Sequence, residues 1–174
     1  DRDVDEAVAG AGWQVRDVAV GGWRPAFRAA SVLLDHEAGL AQGFLLERPE
    51  LLGDGPRAVI EACLRITPAE AAGAREVVDA MRRELTAVLT GVDALVLPTI
   101  TGPPPLLAAT DSMSLTILTL LFNVLGWPAL AVPARAARGG GDVPPSVQLV
   151  AGPGSDELLL GLGAQLPTLR SALD

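Results

Sequence analysis

The sequence contains no lysine and no tyrosine, and all 13 of its basic residues are arginine. A serine hydroxyl that needs an amine to take its proton finds none among these side chains. Cysteine occurs once, at Cys63, which excludes an internal disulfide. In "VIEACLRI" it falls on the apolar side of an expected helix, and nothing beside it would lower its pKa, so it reads as a small core residue. Histidine also occurs once, at His36, with no second imidazole or thiolate at zinc-ligand spacing. The arginines form no basic block. With 21 acidic residues the formal charge is −8, a field that repels phosphate and anionic lipid and argues against a nucleic-acid partner. No initiator Met, basic stretch or apolar run opens the chain at "DRDVDE". Neither a secretory nor a transit peptide is expected, the start reads as an interior cut, and the expected location is cytoplasmic.

What is present is apolar. Hydrophobic residues make up 49% of the 174, against 20% charged, enough for a real core with apolar surface left for a partner. The length suits one folding unit, or part of a larger one. Asp111 and Arg135 bracket an uncharged run that reaches the length of a membrane span. Asn123, Gly126, Trp127 and Pro128 interrupt it and β-type sequence follows, so a helix and then a strand is the better reading than a small membrane-associated protein built on Leu115 to Val132.

Along the chain, "GWQVRDVAV" alternates Trp13, Val15 and Asp17 against Gln14, Arg16 and Val18, which predicts a strand ending at Gly21-Gly22. Helical spacing runs from Pro25 to about Leu45, weakened by Gly39 and Gly43, and a short helix carries Val59, Ala62, Cys63 and Ile66. "TPAE" at Thr67 to Glu70 has a Thr N-cap, Pro at the first helical position and Glu placed to reach back, so a long helix starts there and stops at Gly91. Two stretches then echo each other, "GVDALVLPT" from Gly91 and "GWPALAVPA" from Gly126. Each predicts a glycine stop and an inner strand ended by proline. Between them an apolar helix is expected from about Ser112 to Leu125. Gly139 to Asp142 reads as a turn before the partner strand "SVQLV", and "GPGSDELLLGLGAQL" as a closing capped helix.

Chemistry-bearing patterns are few. Gly152-x-Gly154 precedes a helix, but Ser155, Asp156 and Glu157 already supply a cap and negative charge there, and Gly161-x-Gly163 lacks a third glycine. Asp35, His36 and Glu37 are adjacent on a helix, so they point about 100° apart and read as a solvated face. None of Ser31, Ser112, Ser114, Ser146, Ser155 and Ser171 sits in a nucleophile elbow or beside another serine. Thr99, Thr101 and Asn123 stand out because polar residues just past inner strands face the crevice where α/β proteins bind ligands.

"GVDALVLPT" with its proline loop, "FNVLGWPALAVPA" and "VQLVAGPGSDELLLGLGAQL", in that order, closely resemble the C-terminal part of the amidase signature family. "ERPELLGDG" and the "TPAE" helix start extend the resemblance over almost the whole chain. It implies an α/β fold with a mixed β-sheet flanked by helices, and hydrolysis of carboxylic amide bonds by a serine nucleophile, a second serine in a cis peptide, and a lysine. Here there is no lysine, no Ser-Ser pair and no Gly/Ser-rich segment, so no catalytic residue carries over, and the missing ones are expected before Asp1. The expectation is therefore a single partial domain that builds scaffold and substrate pocket without the triad. Thr99, Thr101, Asn123 and Trp127 are its pocket candidates, with no metal or organic cofactor. Implied partners are a small-molecule amide substrate and a missing N-terminal half or partner chain, with room for a homo-oligomer and no membrane. The alternative expectation is a catalytically inactive homologue, or a non-catalytic subunit with a binding or assembly role.

Overall fold

The structure, a computed structural model, describes residues 2–109, 112–134 and 144–166. They divide into two compact units, Gly21–Arg83 on one side and Asp1–Val20 with Glu84–Asp174 on the other. The predicted turn at Gly139 to Asp142 lies outside the described residues.

In the first unit, α2 (Trp23–Gln42) packs against α3 (Asp54–Cys63), and α4 (Pro68–Val88) begins there. Its core comprises Ala26, Phe27, Ala30 and Leu33 of α2, Ile60 and Cys63 of α3, and Ala71, Ala74, Val78 and Met81 of α4, all buried. Gly39, which weakens the helix on propensity alone, has a reason in packing. A Cβ there would lie 2.9 Å from the Cys63 carbonyl carbon and 3.0 Å from the Leu64 nitrogen, so only a residue without a side chain lets α2 approach the backbone at the end of α3. After Gln42 the chain tightens into 3₁₀ turns at Gly43–Glu47 and Pro49–Leu51.

The start of α4 forms as its sequence dictates. Thr67 Oγ1 donates to Glu70 Oε2 at 2.7 Å and accepts the Glu70 N–H at 3.2 Å, while the Thr67 N–H donates to the same carboxylate oxygen at 2.8 Å. These bonds, first that from the Thr67 backbone and then that from its side chain, hold the Glu70 carboxyl below its ordinary value.

The second unit is a three-stranded sheet in the order β1-β3-β2, with β1 (Leu95–Pro98), β2 (Ala129–Pro133) and β3 (Ser146–Val150). Both outer strands run antiparallel to β3, and so parallel to each other. The chain is thus α/β, and among the described strands every pairing is antiparallel. One sheet face carries Val147, Leu149 and Val132 and packs on Val4, Ala7 and Val8 of α1 (Arg2–Gly10) and Leu159 of α7 (Asp156–Gly163).

Several expectations need correction. The two echoing strands are the outer ones, and "SVQLV" is inner: β3 is almost wholly buried, β1 is half-buried and β2 alternates. An unbroken apolar run marked burial, but all of β1 is only half-buried, and one of its edges pairs with no strand among the described residues. Residues 13–20 form no strand, because alternation sets which side chains share a face and a strand also needs a neighbour to bond to. The segment is held instead by Trp13 Nε1 donating to Gln165 Oε1 at 2.9 Å and by Arg16 Nη2 donating to the Val88 and Thr90 carbonyls at 3.3 and 3.4 Å. The helix expected over Ser112 to Leu125 is two, α5 (Ser112–Thr116) and α6 (Leu120–Leu125). At the break the Leu118 carbonyl accepts a bond from Gln148 Nε2 at 3.0 Å, which a continuous helix would have kept for its own ladder. Ser155 sits at the N-cap of α7, but its side chain makes no capping bond. No described helix is long and apolar enough to cross a membrane.

Gly39→Ala is expected to destabilise the protein by about 1–3 kcal/mol, the range for forcing extra volume into a packed contact, read as a lower urea midpoint at unchanged slope. Because the Glu70 pKa is lower folded than unfolded, its contribution is complete above the ordinary glutamate range and is lost as pH falls through the folded value. Glu70→Gln should therefore flatten the acid limb of the stability–pH curve measured by urea titration.

Candidate functional site

The register of β3 decides which polar groups meet. Thr99, one residue past β1, donates its N–H to the Ser146 carbonyl at 3.2 Å, and the Thr99 and Ser146 hydroxyl oxygens lie 2.8 Å apart. Both are half-buried. Two residues along the same face comes Gln148, 3% exposed and the one buried polar side chain among the described residues, with its amide on Leu118. Thr99, Ser146 and Gln148 thus form a polar line on the sheet face opposite α1 and α7, at the end where β1 and β2 exit. Thr101 is exposed beyond this end.

The other two candidates lie elsewhere. Asn123 is exposed on α6, where its carbonyl accepts the Gly126 N–H at 3.1 Å, and Gly126 takes the left-handed conformation (φ 68°) that turns the chain into β2. Trp127 follows, buried, bordering a cavity of about 280 Å³ with Leu89, Val92, Asp93, Pro153 and Ser155. Pro128 meets Ala151 at that end of the sheet. Thr99, opposite Ser146, and Trp127, one residue before the Pro128–Ala151 pair, are therefore about six residues apart along β3, about 20 Å at the rise of an antiparallel strand. The structure brings Thr99 and Thr101 to one end of the sheet and Trp127 to the other, with Asn123 in the helix that leads there.

Ser146 and Gln148 were missed by sequence reasoning. A lone glutamine in "SVQLV" was the available signal, since a polar side chain on a buried strand needs a partner and marks where the fold must supply one.

Several other titratable groups are engaged locally. His36 Nδ1 lies 3.2 Å from the Ile66 carbonyl, which can only accept, so Nδ1 carries the proton. Arg75 donates to Glu37 at 3.4 Å. Partial burial pushes the Asp35 carboxyl up, and burial together with the charge of Asp35 pushes the Cys63 thiol up, away from the thiolate. The described residues place no group of three or more His, Cys, Asp or Glu together as metal ligands. A cavity of about 560 Å³ lies between Trp13–Val18 and Gly91–Val96.

A model of the amidase family matches residues 62–160, more than half of the chain. The chain belongs to the amidase family. The match runs from the end of α3 through the whole sheet into α7, so Thr99, Thr101, Asn123, Trp127, Ser146 and Gln148 all fall inside the amidase region. One subunit of the mitochondrial glutamyl-tRNA(Gln) amidotransferase of Coccidioides posadasii (strain C735) is 35% identical over 85 residues, 45% of this chain and 17% of its own. The crystal structure of an amidase superposes with a TM-score of 0.80 at 28% identity, covering 94% of this chain and 40% of that one. A chain from a vestigial protein complex, tied to the origins of an s-triazine catabolic enzyme, gives 0.82 at 21% identity, with 97% and 40% covered, and shows the shared fold. The amidase chain described here thus spans about two fifths of these structural relatives and a sixth of the amidotransferase subunit.

Thr99→Val and Ser146→Ala should each cost about 1 kcal/mol of stability through the lost hydroxyl pair, with the double variant costing less than the sum. Urea denaturation of the four proteins of the cycle measures this.

Proposed function

We propose that these residues are one part of an amide-hydrolysing enzyme, a single partial amidase domain that builds scaffold and one wall of the substrate pocket. The serine nucleophile, the second serine and the lysine then come from the part of the fold outside these residues. One observation carries the reading: nearly the whole chain superposes on two fifths of an amidase, yet it contains no lysine and its histidine is engaged at Ile66. In the complete enzyme the serine hydroxyl loses its proton to the base and attacks the amide carbon. The C–N bond breaks as the nitrogen is protonated and leaves as ammonia or an amine, and water then hydrolyses the ester. Backbone N–H groups stabilise the oxyanion.

Of the four pocket candidates, Thr99 and Thr101 share the strand-exit end with Ser146, which supports them as the wall that meets substrate. A small amide cannot also reach Trp127 about 20 Å away. Asn123 and Trp127 then shape the far side of this segment. No cofactor is required by this chemistry.

A second reading is a catalytically inactive homologue or a non-catalytic subunit with a binding or assembly role; the 35%-identical relative, one subunit of an amidotransferase, is consistent with membership of a multi-subunit assembly and does not itself speak to loss of catalysis. Reconstitution separates the two. The purified 174-residue chain should show no amide turnover alone, and should gain it when mixed with the unmatched portion of the 28%-identical amidase supplied as a separate polypeptide. In that mixture Thr101→Ala should raise KM several-fold with kcat little changed. Turnover by the chain alone refutes the first reading, and a stable, monodisperse chain that never supports turnover establishes the second.

A further inference from the structure

Trp127 is 6% exposed, and its indole Nε1–H makes no hydrogen bond among the described residues. A buried indole N–H ordinarily finds an acceptor, because it has been taken out of water. This one is not sealed into the core. Among the described residues no fully buried side-chain nitrogen or oxygen lacks a partner, so the Trp127 N–H keeps a path to the outside. The space that Trp127 borders is the cavity of about 280 Å³, all of whose lining belongs to the unit that holds the sheet.

Two more unengaged polar groups line the same cavity. Ser155, at the N-cap of α7, leaves its hydroxyl without a hydrogen bond, and the exposed Asp93 carboxylate enters no ion pair or hydrogen bond among the described residues. Leu89, Val92 and Pro153 supply apolar wall. A few polar groups converging on an apolar concavity are what orients a small ligand. At about 30 Å³ for each water of the liquid, the space holds about nine waters, or a ligand of about as many non-hydrogen atoms.

The charges decide which ligand. An anion is opposed by Asp93, by Asp156 and Glu157 in the first turn of α7, and by the net charge of −8. A cation suits Asp93 but meets the positive edge of the indole, where the N–H lies. A neutral group that accepts at one atom and donates from its neighbour satisfies both side chains. An amide carbonyl accepts the Trp127 N–H while its NH₂ donates to Asp93, and the Ser155 hydroxyl can serve either end.

We propose that this cavity binds a small primary amide with an apolar body, at a site about 20 Å from the Thr99 end of the sheet and separate from it. The site uses no catalytic group, so it stands or falls apart from the hydrolase reading.

Benzamide is a probe of suitable size, and the three indole N–H resonances of the ¹⁵N-labelled 174-residue chain report on it. The Trp127 resonance, assigned by its loss in Trp127→Phe, should shift saturably while those of Trp13 and Trp23 stay in place. Benzoate, which has no donor and carries the wrong charge, should leave it unmoved. Acetophenone keeps the carbonyl alone and should bind about tenfold more weakly. Read at the Ser155 backbone amide, Asp93→Ala should weaken benzamide about tenfold and Trp127→Phe about fivefold. If Trp127→Phe does not fold, Trp13→Phe and Trp23→Phe assign the resonance by elimination and Asp93→Ala carries the variant test. No saturable shift at Trp127, equal shifts at all three indoles, or equal binding of benzamide and benzoate overturns the proposal. So does a Trp127 resonance that the unmatched portion of the 28%-identical amidase shifts and then shields from benzamide, because the acceptor would come from the rest of the fold.

Discussion

The alternation of hydrogen bonds along β3 is the constraint from which the rest of the second unit follows. As the middle strand it must serve two neighbours, so Ser146, Gln148 and Val150 bond to β1 while Val147, Leu149 and Ala151 bond to β2. The same two-residue period sends the aliphatic side chains of Val147 and Leu149 into the core under α1 and α7, and sends Ser146 and Gln148 to the opposite face. A shift by one residue would bury the hydroxyl and the amide among leucines and valines and expose the core. The Thr99–Ser146 contact, the break between α5 and α6, and the outward edge of β1 all depend on that phase.

The Gln148 amide shows how one buried polar group organises its surroundings. A buried donor left without an acceptor costs more than a hydrogen bond gains, so the chain ends α5 early and gives it the Leu118 carbonyl. That break also lets the uncharged run from Ser112 fold back as a short helix and an outer strand. In the other unit Gly39 plays a comparable part by an opposite means, through the absence of a side chain where α2 meets the backbone of α3.

In the proposed function, positioning is separated from proton transfer. The sheet end holding Thr99, Thr101 and Ser146 offers hydroxyls that can orient a small polar ligand, but the Thr99 and Ser146 hydroxyls bond to each other, and the sequence holds no lysine to raise their nucleophilicity. In the proposed reading, a segment of this kind contributes shape and hydrogen bonds, and the chemistry takes its base from elsewhere in the fold.

Local signals were legible wherever the interaction is local. "TPAE" specified the start of α4 through bonds within four residues, Gly91 and Gly126 marked left-handed turns, and the order of motifs identified the amidase family. The chemistry of Thr99 was suggested by its place after a strand, though not its partner. Which strand is central, that Trp13–Val18 pairs with no strand among the described residues, that Ser146 meets Thr99, and that Trp127 lies at the far end of the sheet were decided by tertiary structure. These depend on pairing between residues 13 to 152 positions apart, whose register local propensity does not specify.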